Sequence, residues 1–108
     1  MEVFEAVAQP KRREILRLLA HDELSAGEVA AHFPTVTQPA ISQHLRVLKN
    51  AELISERREG TRRLYSVRSE GLADLHGFLA DVMPAGLQRL KRAAEAEERS
   101  GNARARRN

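Results

Sequence analysis

The sequence predicts a mainly α-helical chain with one small β-hairpin, on the strength of three observations. Apolar residues recur at helical spacing along most of the chain, Ser, Thr and Pro stand where helices would start, and two short alternating segments flank Gly60-Thr61.

Val3, Phe4 and Val7 make a short amphipathic turn or two before Gln9-Pro10. Pro10 suits the first position of a second helix, because its missing N–H has no intrahelical acceptor there anyway. In that helix Ile15, Leu18 and Leu19 form one apolar stripe, and His21-Asp22-Glu23 ends it. Lys11, Arg12 and Arg13 oppose the dipole at its start, a placement that solvation or a local ion pair would offset. Ser25-Ala26-Gly27-Glu28 has the form of a capping box, and Val29, Ala30, Ala31 and Phe33 continue a short third helix that Pro34 closes.

Thr37 caps a fourth helix with Pro39 in its first turn, running to Asn50. At about 100° per residue, Gln38, Pro39, Ser42, Gln43, Arg46, Lys49 and Asn50 share an arc of about 140°, with Ile41, His44, Leu45 and Leu48 opposite. His44 is therefore expected to pack inward. Segments 54–59 and 62–67 read as the hairpin, whose tip is Arg57-Arg58-Glu59-Gly60-Thr61-Arg62-Arg63. Ser69 and Glu70 open a long last helix in which Leu72, Leu75, Leu79 and Val82, then Met83, Leu87 and Leu90, keep a helical period through Ala94, with Pro84 kinking or dividing it. That stripe exceeds what a three-helix core can cover. It is expected to form a homodimer seam with Val3, Phe4 and Val7 of the first helix. Residues 1–98 are thus expected to form one domain, followed by a basic, disordered tail over 99–108.

The chain has no cysteine, which excludes disulfides and thiolate metal sites, and a chain of 108 residues gains from a partner subunit instead. No apolar run approaches the length of a membrane span and no secretory signal is evident, so a cytoplasmic location is expected. The net charge is only +3, but it is unevenly distributed: residues 37–68 carry seven Lys/Arg against three Asp/Glu, whereas residues 1–36 carry four against six. Cations gathered on one element are what phosphate neutralisation needs.

Helix, short helix, turn, polar-faced helix and basic hairpin, in that order, is the winged helix-turn-helix arrangement, in which the second helix of the motif enters the major groove of double-stranded DNA. From Val7 to Leu90 the sequence resembles the ArsR family of bacterial repressors. The residues that carry the resemblance are Gln9-Pro10-Lys11-Arg12-Arg13-Glu14-Ile15-Leu16, Thr37-Gln38-Pro39-Ala40-Ile41-Ser42-Gln43-His44-Leu45-Arg46-Val47-Leu48, and Arg57-Arg58-Glu59-Gly60-Thr61-Arg62-Arg63-Leu64-Tyr65. It implies a dimer built from the first and last helices, base contacts from Gln38, Ser42 and Gln43, and wing contacts from Gly60 to Arg63. The chemistry agrees: Gln pairs two-pronged with adenine, and Arg46 can reach guanine or phosphate. With Thr37, Pro39, Lys49, Arg57, Arg58, Thr61, Arg62 and Arg63 these residues make the expected DNA-binding set. The wing arginines also admit a plainer reading, as charges that keep an exposed sheet edge from pairing.

Metal sensing, which the resemblance raises, finds no support. Where sensing relatives carry Cys-x-Cys this chain has Ala30, Ala31 and His32, and Asp74-Leu75-His76 supplies half of a second site whose other half falls on Leu87 and Leu90. No metal and no cofactor is expected. A small-molecule effector, a protein effector or none at all all remain open. An enzyme is disfavoured, since no nucleophile and base, carboxylate pair or Gly-rich phosphate loop is evident. A winged helix used only for protein interaction would need an apolar or acidic outer face on the fourth helix, which the sequence does not have.

Overall fold

A computed structural model of the chain describes residues 2–83, 85, 86, 89 and 92–97. Two compact units divide it, residues 1–75 and 76–108. In order, the elements are helices α1 (Val3–Ala8) and α2 (Pro10–His21), strand β1 (Leu24–Ser25), helices α3 (Ala26–Ala31) and α4 (Gln38–Asn50), strands β2 (Ile54–Glu59) and β3 (Arg62–Val67), a 3₁₀ turn at Ser69–Leu72, and helix α5 (Ala73–Val82).

The cations at the start of α2 have a use that helical spacing could not reveal. Arg12 donates from Nε to the Ala6 carbonyl (2.7 Å) and from Nη2 to the Glu5 carbonyl (3.1 Å), and Arg13 Nη1 donates to the carbonyls of Val7 and Ala8 (2.8 and 3.0 Å). These are the last four carbonyls of α1, the groups a helix end leaves without partners. Two arginines that oppose the dipole of their own helix thereby cap, and complement, the dipole of the preceding one. Lys11 takes the local ion pair instead, with Glu14 at 2.8 Å, and stands 5.0 Å above the Phe33 ring.

The capping box forms: Ser25 Oγ accepts from the Glu28 N–H (3.2 Å) and Glu28 Oε1 accepts from the Ser25 N–H (3.0 Å). Ser25 also belongs to β1, which extends the expected hairpin to a three-stranded antiparallel sheet of order β1-β3-β2, with Leu24 opposite Tyr65 and Ser25 opposite Leu64. A two-residue strand has no periodicity to announce it. The β2–β3 turn is Gly60-Thr61, closed by the Glu59–Arg62 pair, and Gly60 takes φ +64° at the first turn position, where glycine suits a type II′ turn.

Thr37 Oγ1 caps α4 by accepting from the Ala40 N–H (3.3 Å). At the other end the Glu52 N–H donates to the Lys49 carbonyl and the Leu53 N–H to the Leu48 carbonyl, both at 3.0 Å, while Glu52 adopts φ +61°. This is a Schellman closure with glutamate where glycine is usual, and buried Leu48 and Leu53 supply its apolar contact. Gly71 lies against the same turn: a Cβ there would stand 2.1 Å from the Glu52 carbonyl oxygen. The core gathers Ala6, Ile15, Leu19, Val29, Ile41, Leu45, Leu48, Leu53 and Ile54, so one stripe from each of α2, α3 and α4 converges on the base of the sheet.

The last helix differs from expectation at its start, where Ser69–Leu72 is 3₁₀, and α5 ends at Val82; residues 85, 86, 89 and 92–97 are also helical. Pro84, Leu87, Leu90 and the tail 99–108 lie outside the described residues. His44, on the inner side of α4 as expected, is half-buried, and its Nδ1 is buried with no hydrogen-bond partner among the described residues. Burial first, then the charges of Arg12 and Lys11, push its pKa below 6.5.

Gly71→Ala should destabilise by roughly 1–3 kcal/mol in urea unfolding, because backbone must move to admit the methyl group, whereas Glu52→Gly should stabilise by about 0.5–1 kcal/mol by relieving a left-handed backbone. A neutral or stabilising Gly71→Ala would contradict the close approach. His44 binds protons less readily folded than unfolded, so its share of stability is complete above pH 6.5 and declines as pH falls below that value through the folded pKa. The carboxylates of Glu14, Glu23, Glu28 and Glu56, all lowered from 4.5, act in a separate, more acidic window. His44→Met should flatten the unfolding midpoint between ~pH 7 and ~pH 5.5 and leave the acidic limb intact; an unchanged profile in the upper window would assign that loss elsewhere.

Candidate nucleic-acid interface

Burial of Ile41, Leu45 and Leu48 fixes the rotation of α4, and the opposite face, Gln38, Pro39, Ser42, Gln43, Arg46, Lys49 and Asn50, is exposed along its whole length. No carboxylate interrupts that face. Arg46 Nη1 donates to Gln43 Oε1 at 3.2 Å, so two of the side chains expected to reach base edges already support one another. Thr37, also exposed, is committed to the helix cap through its Oγ1, and Pro39 occupies the first turn.

A groove of about 260 Å³ separates α4 from the sheet, lined among others by Ser42, Arg46, Lys49, Glu56, Arg63 and Tyr65. Glu56, with a side chain only 17% exposed, holds Lys49 Nζ at 2.9 Å and Arg63 Nε at 3.6 Å, tying the end of α4 to the wing. The Lys49 hydrogen bond, then the charges of Lys49, Arg63 and Arg58, hold its carboxyl below the usual range.

On the wing, strand register sorts the cations onto two faces. Arg58 pairs across the strands with Arg63, on the face that carries Glu56 and Tyr65. Two like charges directly opposite each other disfavour the pairing and leave positive potential for an anion to relieve. On the other face Arg57 donates from Nε and Nη2 to both oxygens of Glu23 (2.7 and 2.5 Å) and from Nη2 to Glu59 (3.1 Å), while Arg62 Nη2 donates to Glu28 Oε1. These bonds hold the Glu23 carboxyl low through Arg57, and Glu28 low through Ser25 first and Arg62 after it. Thr61 is exposed at the tip.

Of the expected side chains, Ser42, Arg46 and Lys49 of α4 line one groove with Arg63 of the wing, whereas Arg57 and Arg62 lie on the opposite face of the strands. Sequence reasoning missed three carboxylates that pair with these cations, Glu23, Glu28 and Glu56. Glu28 appears in the sequence only as a capping residue. The two outer pairs, Glu23–Arg57 and Glu28–Arg62, each join residues 34 positions apart and have no local signal in the sequence; the antiparallel pairing of β1 with β3 is what carries these carboxylates to the wing.

The expected seam residues differ in exposure. Val3, Val7 and Leu72 are half-buried against the core of their own chain, and Leu75 and Met83 are half-buried too. Phe4 of α1 is exposed, and on α5, which has no buried residue, Leu79 is 44% and Val82 56% exposed, with Phe78, absent from the expected seam, at 49%. Asp74 and His76 are exposed, and among the described residues no group of three or more His, Cys, Asp or Glu is placed to hold a metal ion. Among the same residues no helix is long and apolar enough to cross a membrane.

Comparison with known proteins agrees with this architecture. The profile of the family described as "Bacterial regulatory protein, arsR family" matches residues 9–56. An HTH-type transcriptional regulator of Mycobacterium tuberculosis is 49% identical over 72 residues, which span 67% of this chain and 66% of that protein, just under two thirds of its length. The transcriptional repressor SdpR of Bacillus subtilis is 39% identical over 84 residues, 78% of this chain and 92% of the repressor. Among solved structures, a possible transcriptional regulator for arsenical resistance superposes with a TM-score of 0.68 at 39% identity, over 82% of this chain and 92% of that one. The homodimeric winged helix-turn-helix DNA-binding domain of Mb0332 from Mycobacterium bovis does so with a TM-score of 0.59 at 33% identity, over 72% and 71%. The chain belongs to the arsR family of bacterial regulatory proteins: it is a winged helix-turn-helix transcriptional regulator and not an enzyme.

Proposed function

We propose that this regulator is a homodimeric repressor that binds double-stranded DNA at an imperfect palindrome in a promoter. The observation that carries the reading is the outer face of α4, exposed from Gln38 to Asn50, rich in hydrogen-bonding and cationic groups and free of carboxylates. Gln38, Ser42, Gln43 and Arg46 read base edges, while Thr37 and Pro39 at the helix start and Lys49 at its end lie against the sugar-phosphate backbone. From the wing, Arg58, Thr61, Arg62 and Arg63 clamp neighbouring backbone; Arg57 belongs to the same set but is the cation most firmly held by carboxylates. The exposed apolar residues of α5, together with Phe4 of α1, are covered by a second copy, a reading supported by the relative described as homodimeric. A two-fold dimer places its two reading helices in successive major grooves, about one turn or ~34 Å apart. Such a regulator works in the cytoplasm, where the chromosome is. Its effector is a small molecule or a partner protein, if it has one, and a thiolate-bound metal is excluded because the chain has no cysteine.

Titration of a promoter duplex against purified protein at stepped salt tests the reading. Affinity should fall steeply as salt rises, and no binding at low salt would sink it. Gln38→Ala or Gln43→Ala should cost about 1–3 kcal/mol of discrimination between sites, whereas Arg62→Ala should weaken all duplexes alike; the opposite pattern would reverse reader and clamp. For assembly, Leu79→Glu should yield monomers by sedimentation with poor operator affinity, and an intact dimer would remove α5 from the seam.

A further inference from the structure

Glu28 serves two structures with one oxygen. Its Oε1 accepts the Ser25 N–H at 3.0 Å, which closes the capping box of α3, and also receives Arg62 Nη2 from the wing. Because the cap already fixes the rotamer, the carboxylate is in place for Arg62 at little further entropic cost. The other wing pairs are built differently. Arg57 is gripped by two oxygens of Glu23 as well as by Glu59, and Glu56 is largely withdrawn from solvent between two cations. Among the described residues Arg62 has a single donor engaged, with its side chain 54% and that of Glu28 46% exposed.

We propose that Glu28 is an internal counter-anion for Arg62 that sets the affinity of the wing for DNA phosphate. The proposal rests on the DNA-binding reading above. In the free chain Glu28 occupies Arg62 where a phosphate oxygen would otherwise bind, so the wing must exchange one anion for another. An exposed pair of this kind shifts an equilibrium by no more than about fivefold, weak enough for phosphate to displace and strong enough to measure. After the exchange Glu28 keeps its negative charge beside the phosphodiester chain and attracts back a cation. The contact therefore releases less counterion than an unpaired arginine would, and β1, by pairing with β3, is the element that brings this competitor to the wing.

The test uses E28Q, R62A and the double variant E28Q/R62A beside the full wild-type chain, with a labelled random-sequence duplex at several salt concentrations. Glutamine serves as well as glutamate at this capping position, so E28Q keeps the box and loses the charge. E28Q should bind about two- to fivefold more tightly than wild type, with a salt slope steeper by up to ~0.9, the contribution of one phosphate. R62A should cost more affinity in the E28Q background than in wild type, and because that comparison shares any change in fold, it isolates the pair. Unchanged or weaker binding by E28Q, or a gain that survives in E28Q/R62A, would overturn the proposal. Failure of wild type to bind any duplex at low salt would overturn the DNA-binding reading itself, whereas wild-type binding with an unresponsive E28Q defeats only the role of Glu28.

Discussion

Burial of one side of α4 is the constraint on which the rest of the structure depends. Ile41, Leu45 and Leu48 pack into the cluster that contains Ile15, Leu19, Val29, Leu53 and Ile54, and each such side chain contributes roughly 1.5–3 kcal/mol when removed from water. Rotating α4 by one residue would expose part of that stripe and bury Ser42 or Gln43 without partners. The outward aim of the polar face is therefore enforced by the core, and no contact on that face is needed to hold it. The Schellman turn at Glu52 extends the same control to the wing, since it places Leu53 and Ile54 in the core and launches β2 from there.

Charge is organised around that frame in a way that composition conceals. Of the cations expected to meet DNA, Lys49, Arg57, Arg62 and Arg63 each face a carboxylate in the free chain, and Arg46 is held by Gln43. Exposed pairs of this sort add little stability one by one. Their effect is to order long side chains and to set how much positive potential is free before DNA arrives. Arg12 and Arg13 are a separate case: their guanidinium groups are spent on the carbonyls at the end of α1 and have a structural use independent of nucleic acid.

Much of the fold is legible in the sequence because it depends on local chemistry with a period. The start of α4 at Thr37 and Pro39, the Ser25–Glu28 box, the Gly60-Thr61 turn and the two faces of α4 all follow from the spacing of apolar, capping and turn residues. So does the expectation that His44 points inward. The winged helix-turn-helix order and the exposed polar face of α4 follow from these elements together, since each is specified within about a dozen residues of chain. Only tertiary structure could decide what depends on strand pairing and on contacts between distant segments. The two-residue β1, the carboxylates it brings to Arg57 and Arg62, the use of Arg12 and Arg13 as caps for the preceding helix, and the close approach of Gly71 to Glu52 have no local signature. A side chain's partner across 34 positions is set by where the backbone is carried, and the one-dimensional pattern records only that the charges exist.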